Sequence, residues 1–245
     1  MPLAAIASKP FIGIWEITEP WQDMLELFQN KAFYAEEVFK IKSDNRKREW
    51  LAVRLLIKSL TGSEIPVRYK ENGAPFLVDN RYHISISHTQ GYAAVILSQY
   101  PYPGIDIEYR SDRAWKLRTK YLSTDELEMF EPISPDFQTG NEPLRLVTIF
   151  DSTNQTGSII PPLQSALATL CWCAKETAYK ALQLPDIDFI KHLHIEPFSL
   201  SEKGIISLKE TITSNQTTFK IHYQLTEDFS LTWGESGTTQ AAPRQ

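Results

Sequence analysis

The chain has almost no cysteine: Cys171 and Cys173 are the two thiols in 245 residues. Two thiols are too few for a disulfide framework. On a helix their spacing turns them about 200° apart, so they neither clasp one metal nor bond to each other. A reducing compartment is the expectation, and with it a cytoplasmic location. Long apolar runs are also missing; no stretch approaches the roughly 20 residues that cross a bilayer, so no membrane partner is expected. Lys9 and Pro10 interrupt the apolar start before a signal-peptide core can form. Nor is there a basic surplus. The net charge of −5 argues against a general nucleic-acid binder. Walker-type loops, dinucleotide fingerprints and G-x-S-x-G elbows are absent. His192 and His194 have no matching third ligand nearby, which argues against zinc.

What is present is an ordinary globular composition, 42% hydrophobic and 22% charged, in a chain long enough for one large domain or two small ones. Residues 11–17 read as a strand rich in β-branched and aromatic side chains. Residues 43–60 read as a helix, with Trp50, Val53, Leu56, Ile57 and Leu60 at helical spacing and Gly62 as the stop. Asn72-Gly73 signals a turn, followed by strands over 82–87, 92–97 and 104–108. The pattern over 112–130 is helical, with Ser123 and Glu126 in a capping-box arrangement. Prolines and glycines break 131–165 repeatedly, a long irregular insertion of the kind that is usually functional. A strong helix over 164–182 and short strands over 195–233 complete the pattern. Each half holds one long helix and several strands, so the class is α+β. The expected division is 1–110, 111–234 carrying the insertion, and a disordered tail over 235–245.

Asp106 and Glu108 stand two apart in a strand, so both carboxylates project to one side while Ile105 and Ile107 enter the core. Adjacent carboxylates repel unless a cation lies between them, and magnesium takes one or two carboxylates plus substrate phosphates. Spacing alone also fits a wet strand face. Glu176 and Lys180 are four apart on one helix face, which alone describes an ordinary exposed ion pair. Ser87 and His88 close a strand before Gly91 and can reach a phosphate oxygen. Basic residues cluster twice: Arg46, Lys47, Arg48, Arg54 and Lys58, then Arg110, Arg113, Lys116, Arg118 and Lys120. Such runs are usually solvated helix faces, yet in an acidic protein they also suit phosphates or an acidic protein surface.

Taken in order, four segments resemble the 4′-phosphopantetheinyl transferases of the surfactin-synthetase-activating type. They are Gly73-Ala74-Pro75, Ser87-His88-Thr89, Gly104-Ile105-Asp106-Ile107-Glu108, and the run from Trp172 through Lys175 and Glu176 to Lys180. The segment from Tyr121 through Ser123 to Glu126 adds to the likeness, which spans roughly 46–182. The resemblance implies a pseudo-twofold α+β fold of two similar halves around a coenzyme A site. It implies Mg²⁺ held by Asp106, Glu108 and Glu176, with Ser87, His88 and Lys180 at the coenzyme A phosphates. Arg46 matches an arginine near the 3′-phosphate, with Arg48 as the competing register. The implied reaction moves the phosphopantetheine arm to a serine of an acyl or peptidyl carrier protein, with Glu176 and Lys180 as catalytic groups. A monomer is implied, with the strip 110–120 docking the carrier. A binding pseudoenzyme of the same fold and a magnesium-dependent phosphohydrolase are the alternatives. Ala74 stands where relatives often carry a basic residue, leaving Lys70 or Arg81 to supply that contact.

Overall fold

Two antiparallel sheets, each backed by one long helix, organise the computed structural model, which describes residues 3–6, 10–133 and 162–235. The first sheet contains β1 (Leu3–Ile6), β2 (Phe11–Glu16), β5 (His83–Thr89) and β6 (Tyr92–Ser98), in the order β1-β2-β6-β5. Its helix, α3 (Asp44–Thr61), starts where the Ser43 hydroxyl accepts from the Arg46 amide and stops at Gly62. Gly62 has φ 72°, a left-handed conformation that costs a glycine little. Seven consecutive residues of α3, from Leu51 to Ile57, are buried. The helix is enclosed because the sheet covers one side while α1 (Trp21–Glu26) and α2 (Lys31–Phe39) cover others. A two-stranded ribbon, β3 (Val67–Tyr69) with β4 (Pro75–Leu77), carries the Gly73 turn.

The second sheet runs β7-β11-β10-β9-β8, with β7 (Pro103–Tyr109), β8 (Leu193–Ile195), β9 (Lys203–Glu210), β10 (Thr218–Leu225) and β11 (Phe229–Glu235). Between β7 and its partners come α4 (Arg113–Leu117), α5 (Thr124–Leu127), the long α6 (Pro162–Leu182) and α7 (Phe189–His192). The stripe Leu167, Leu170, Cys171, Ala174, Ala178 and Ala181 packs inward against this sheet, as the helical spacing predicts. Small residues let α6 approach closely. A Cβ on Gly104 at the head of β7 would lie 2.1 Å from the Thr177 carbonyl oxygen, so only glycine fits there. The halves meet through a third apolar cluster, with Ile12, Ile14, Ala94 and Ile96 on one side and Ile105, Ile107 and Leu231 on the other.

The class is α+β, and each half repeats the plan of an antiparallel sheet under one long helix. Pairing changes sheet between β6 and β7, one strand ahead of the division expected at 110, because β7 ladders with β11. The helical pattern expected over 112–130 is realised as two short helices and two 3₁₀ turns. The chain breaks there because Tyr121 and Leu122 enter the core, and the capping box at Ser123 then starts α5 afresh. Most of the 131–165 insertion and nearly all of the expected tail lie outside the described residues. Among the described residues, no helix is long and apolar enough to cross a membrane.

Candidate active site

Alternation along β7 sends Ile105 and Ile107 toward the first sheet, and Asp106 and Glu108 to the opposite side. There, α3 supplies Arg46, Glu49, Trp50 and Arg54; β5 supplies Ser87 and His88; α6 supplies Trp172, Glu176, Tyr179 and Lys180. These residues and the turn at Gly73 to Pro75 line one cavity of about 840 Å³ between the halves. Arg46, Ser87, His88, Asp106, Glu108, Glu176 and Lys180, all singled out in the sequence, line this one cavity.

Asp106 is 3% exposed. Its Oδ1 accepts from Lys180 Nζ at 2.7 Å and from Ser87 Oγ at 2.8 Å. Lys180 Nζ also donates to the Ile105 carbonyl at 3.0 Å, which fixes the ammonium against β7. Oδ2 of Asp106 is buried and has no hydrogen-bond partner. Glu108 accepts from Thr89 Oγ1 at 3.1 Å and from the Trp172 indole. That hydroxyl accepts from the Tyr109 amide at 3.1 Å, so its own proton is directed at Glu108. Burial first, then the charge of Asp106, raise the pKa of Glu108 above its ordinary value. The same two causes push Glu176 up to about 7, with Lys180 opposing and Glu108 adding. His88 is shifted down, by burial first and also by the charges of Arg46 and Lys180, against the pull of Glu49. Arg46 Nη1 lies 3.0 Å from its Nε2, a contact that suits a neutral ring accepting there.

Among the described residues, no three His, Cys, Asp or Glu side chains form a ready-made metal cluster. The three carboxylates share the cavity, and the charge of Asp106 raises the proton affinity of both Glu108 and Glu176, yet the three do not close into a cage. The donor set still fits a hard cation. It is all oxygen, Asp106 Oδ2 is unpartnered, and magnesium characteristically completes its shell with substrate phosphates and water.

The raised pKa of Glu176 makes a prediction for the metal-free protein. A carboxyl whose pKa rises on folding binds its proton more tightly in the native state, so stability falls as pH climbs from 4.5 toward 7. The expected loss is about 1–3 kcal/mol between pH 5 and pH 8. Urea titrations at both pH values measure it, and Glu176→Gln should flatten the difference. An equal slope in that variant would assign the loss to other groups.

Other candidates sit elsewhere. Arg48 is bonded to the Asn45 side chain and does not line the cavity, which leaves Arg46 as the residue placed there. Lys70 donates to Gln183 at 3.0 Å and lines a neighbouring cavity, and Arg81 is paired with Asp79. In the second basic strip, Arg110 turns to the carbonyls of Thr226 and Glu227, and Arg118 covers the Trp115 ring. Arg113, with Ala114 and Leu117, lines a small cavity that shares Glu108 and Trp172 with the main one. Sequence reasoning missed the support beneath the site. Lys175 is fully buried and donates to Glu126 at 2.7 Å and to the Tyr121 and Phe189 carbonyls. The signal was available: Lys175 falls on the apolar side of α6, next to Cys171 and Ala178 rather than beside Glu176.

A family model described as the 4′-phosphopantetheinyl transferase superfamily matches residues 102–234, which takes in Asp106, Glu108, Glu176 and Lys180. Ser87, His88 and Arg46 precede the matched segment. No curated protein matches the chain.

Proposed function

The chain belongs to the 4′-phosphopantetheinyl transferase superfamily, and on that premise we propose that it loads a carrier protein from coenzyme A in the manner of the surfactin-synthetase-activating type. The observation that carries this reading is the convergence of Asp106, Glu108, Glu176 and Lys180, with Ser87 and His88, on one cavity. The serine oxygen of an acyl or peptidyl carrier attacks the β-phosphorus of coenzyme A. The bond from that phosphorus to the bridging oxygen breaks, and 3′,5′-adenosine bisphosphate leaves.

Asp106 and Glu108, with Glu176, are the residues that would hold Mg²⁺, whose contribution when bound is to neutralise charge on the transferring and departing phosphates. Lys180, fixed by Asp106 and the Ile105 carbonyl, adds a cation on the same side. Glu176, with its proton affinity raised toward neutrality, takes the serine proton directly or through a water. Binding a metal lowers that basicity, so the ligand and base roles of Glu176 compete. Arg46 faces the donor phosphates as a hydrogen-bond donor, with His88 beside it on the same wall. Mass spectrometry of an apo carrier incubated with coenzyme A and magnesium tests the reading. A mass gain equal to the phosphopantetheine arm supports it. Hydrolysed coenzyme A beside an unmodified carrier points to a phosphohydrolase, and binding without turnover to a pseudoenzyme.

The carrier's approach is assigned to α4, where Arg113 stands beside the cavity that shares Glu108 and Trp172. Acidic carriers are steered by such charges. Arg113→Glu with Lys116→Glu is expected to raise the KM for carrier about tenfold while leaving coenzyme A affinity within about twofold. Isothermal titration with coenzyme A and initial rates against carrier separate the two. Equal damage to both ligands would remove α4 from the docking surface.

A further inference from the structure

Among the described residues, the second sheet keeps one face open. Along β9 and β10 the buried side chains of Ile206, Leu208, Ile221 and Tyr223 join the core under α6. Alternation therefore turns Lys203, Ile205, Lys209, Lys220 and His222 the other way. Thr232, opposite Asp106 in the ladder, bonds Thr177 of α6, so the carboxylates of the cavity lie on the α6 side. The open face is turned away from them.

Register sets its layout. His222 stands opposite Ile205 on β9 and Trp233 on β11, which makes one row across three strands. Lys203 lies one same-face step below that row, Lys220 one step above it and Lys209 two. From Lys203 to Lys209 the face runs about 20 Å. Ile205 is 52% exposed at its centre, and beside it the His222 and Trp233 rings stack with centroids 5.6 Å apart.

The charge on this face has one sign. Lys31, Lys40, Lys47, Lys58 and Lys191 each pair with a carboxylate, whereas Lys203, Lys209 and Lys220 pair with none among the described residues. Glu210, the one carboxylate of β8, β9 and β10, is fully buried on the opposite side and holds the Thr213 and Thr217 amides at 2.8 and 2.7 Å. A solvated surface ordinarily intersperses both signs. Here a chain with 30 acids against 25 bases leaves three lysines unanswered around an exposed isoleucine. An apolar centre inside a charged rim is the anatomy of a protein interface. A nucleic acid would need open aromatic faces for its bases. The two rings here are stacked on each other, and these strands carry no arginine.

We propose that the open face of β8, β9 and β10 docks an acidic protein surface, whose carboxylates meet Lys203, Lys209 and Lys220 and whose apolar side chain covers Ile205. The surface is separate from the carrier approach at α4, and a partner held there leaves the cavity free. No cavity residue takes part, so the proposal stands or falls independently of the transferase reading.

The test uses two labelled peptides of equal charge, four glutamates on each side of a central leucine or a central serine, followed by fluorescence anisotropy at low salt. The wild type should bind the leucine peptide about tenfold more tightly, the worth of one buried aliphatic side chain. Lys203→Glu with Lys220→Glu should weaken both peptides at least about tenfold. Ile205→Ser should erase the difference between them, and Arg113→Glu with Lys116→Glu should leave both affinities within about twofold. Should the lysine reversal fail to fold, Lys203→Ala with Lys220→Ala must weaken both peptides in the same direction. Equal affinity for the two peptides would reduce the face to unspecific charge attraction and overturn the proposal. So would binding that survives the lysine changes or is lost with the α4 pair, and so would no binding of either peptide at millimolar concentration. Tighter binding of an oligothymidylate through the same lysines would give the face to nucleic acid instead. Sedimentation without peptide covers the remaining occupant: self-association abolished by the lysine reversal would assign the face to a second copy of the chain and overturn the proposal.

Discussion

Asp106→Ala is expected to lower kcat/KM for carrier modification by at least about a thousandfold, the scale on which a preorganised charge acts at a phosphoryl centre. The same substitution should move the melting temperature by only a few degrees, and the two effects have separate causes. Catalytically, Asp106 offers the one buried carboxylate oxygen left without a hydrogen-bond partner among the described residues, and its other oxygen holds Lys180 and Ser87 toward the cavity. Its removal deletes a metal ligand and releases the catalytic ammonium together. For stability the accounts nearly cancel. Lys180 loses its carboxylate but keeps the Ile105 carbonyl, while Glu108 and Glu176 lose the negative neighbour that raises their pKa values. Initial rates and calorimetry on one preparation check both halves. Activity within tenfold of wild type would detach Asp106 from the chemistry, and a large fall in melting temperature would show a structural role instead.

Much of this site was legible in the chain because its signals are local. Two carboxylates at strand spacing must share a side, and the structure adds that the side is the cavity. The N-cap at Ser43, the stop at Gly62 and the capping box at Ser123 are likewise set by residues within one turn of each other. What failed was non-local. The short helices α1 and α2 carry weak periodicity and are held by packing on α3, so nothing in residues 18–41 announced them. The helical pattern over 112–130 was real but was overridden when Tyr121 and Leu122 were drawn into the core. Arg54 read as one more charge on a solvated face, because only the fold reveals that it is buried under the Trp50 ring and hydrogen-bonded to Tyr69.

Lys175→Met should be the most destabilising single change at the site's foundation, lowering the unfolding free energy by about 3–5 kcal/mol. Lys175 and Glu126 are 0% and 3% exposed at the side chain and 2.7 Å apart. Removing one charge leaves the other buried without its partner. Replacing both by apolar residues often relieves such a penalty, but here the pair does more than neutralise itself. Glu126 accepts the amides of Ser123 at 2.7 Å and Ile195 at 2.8 Å, and Lys175 satisfies the carbonyls of Tyr121 and Phe189. A Lys175→Met, Glu126→Leu double variant would strand those four backbone groups, so it should be no more stable than the single one. Urea unfolding of both variants reads this directly; a double variant that regains most of the loss would reduce the pair to simple charge neutralisation. The expected failure to recover follows from geometry. The pair joins α5, α7 and β8 to the turn of α6 that also carries Trp172 and Glu176. Loosening it frees the wall from which Trp172 holds Glu108 and from which Lys180 reaches Asp106, so activity should fall at temperatures where the chain still folds.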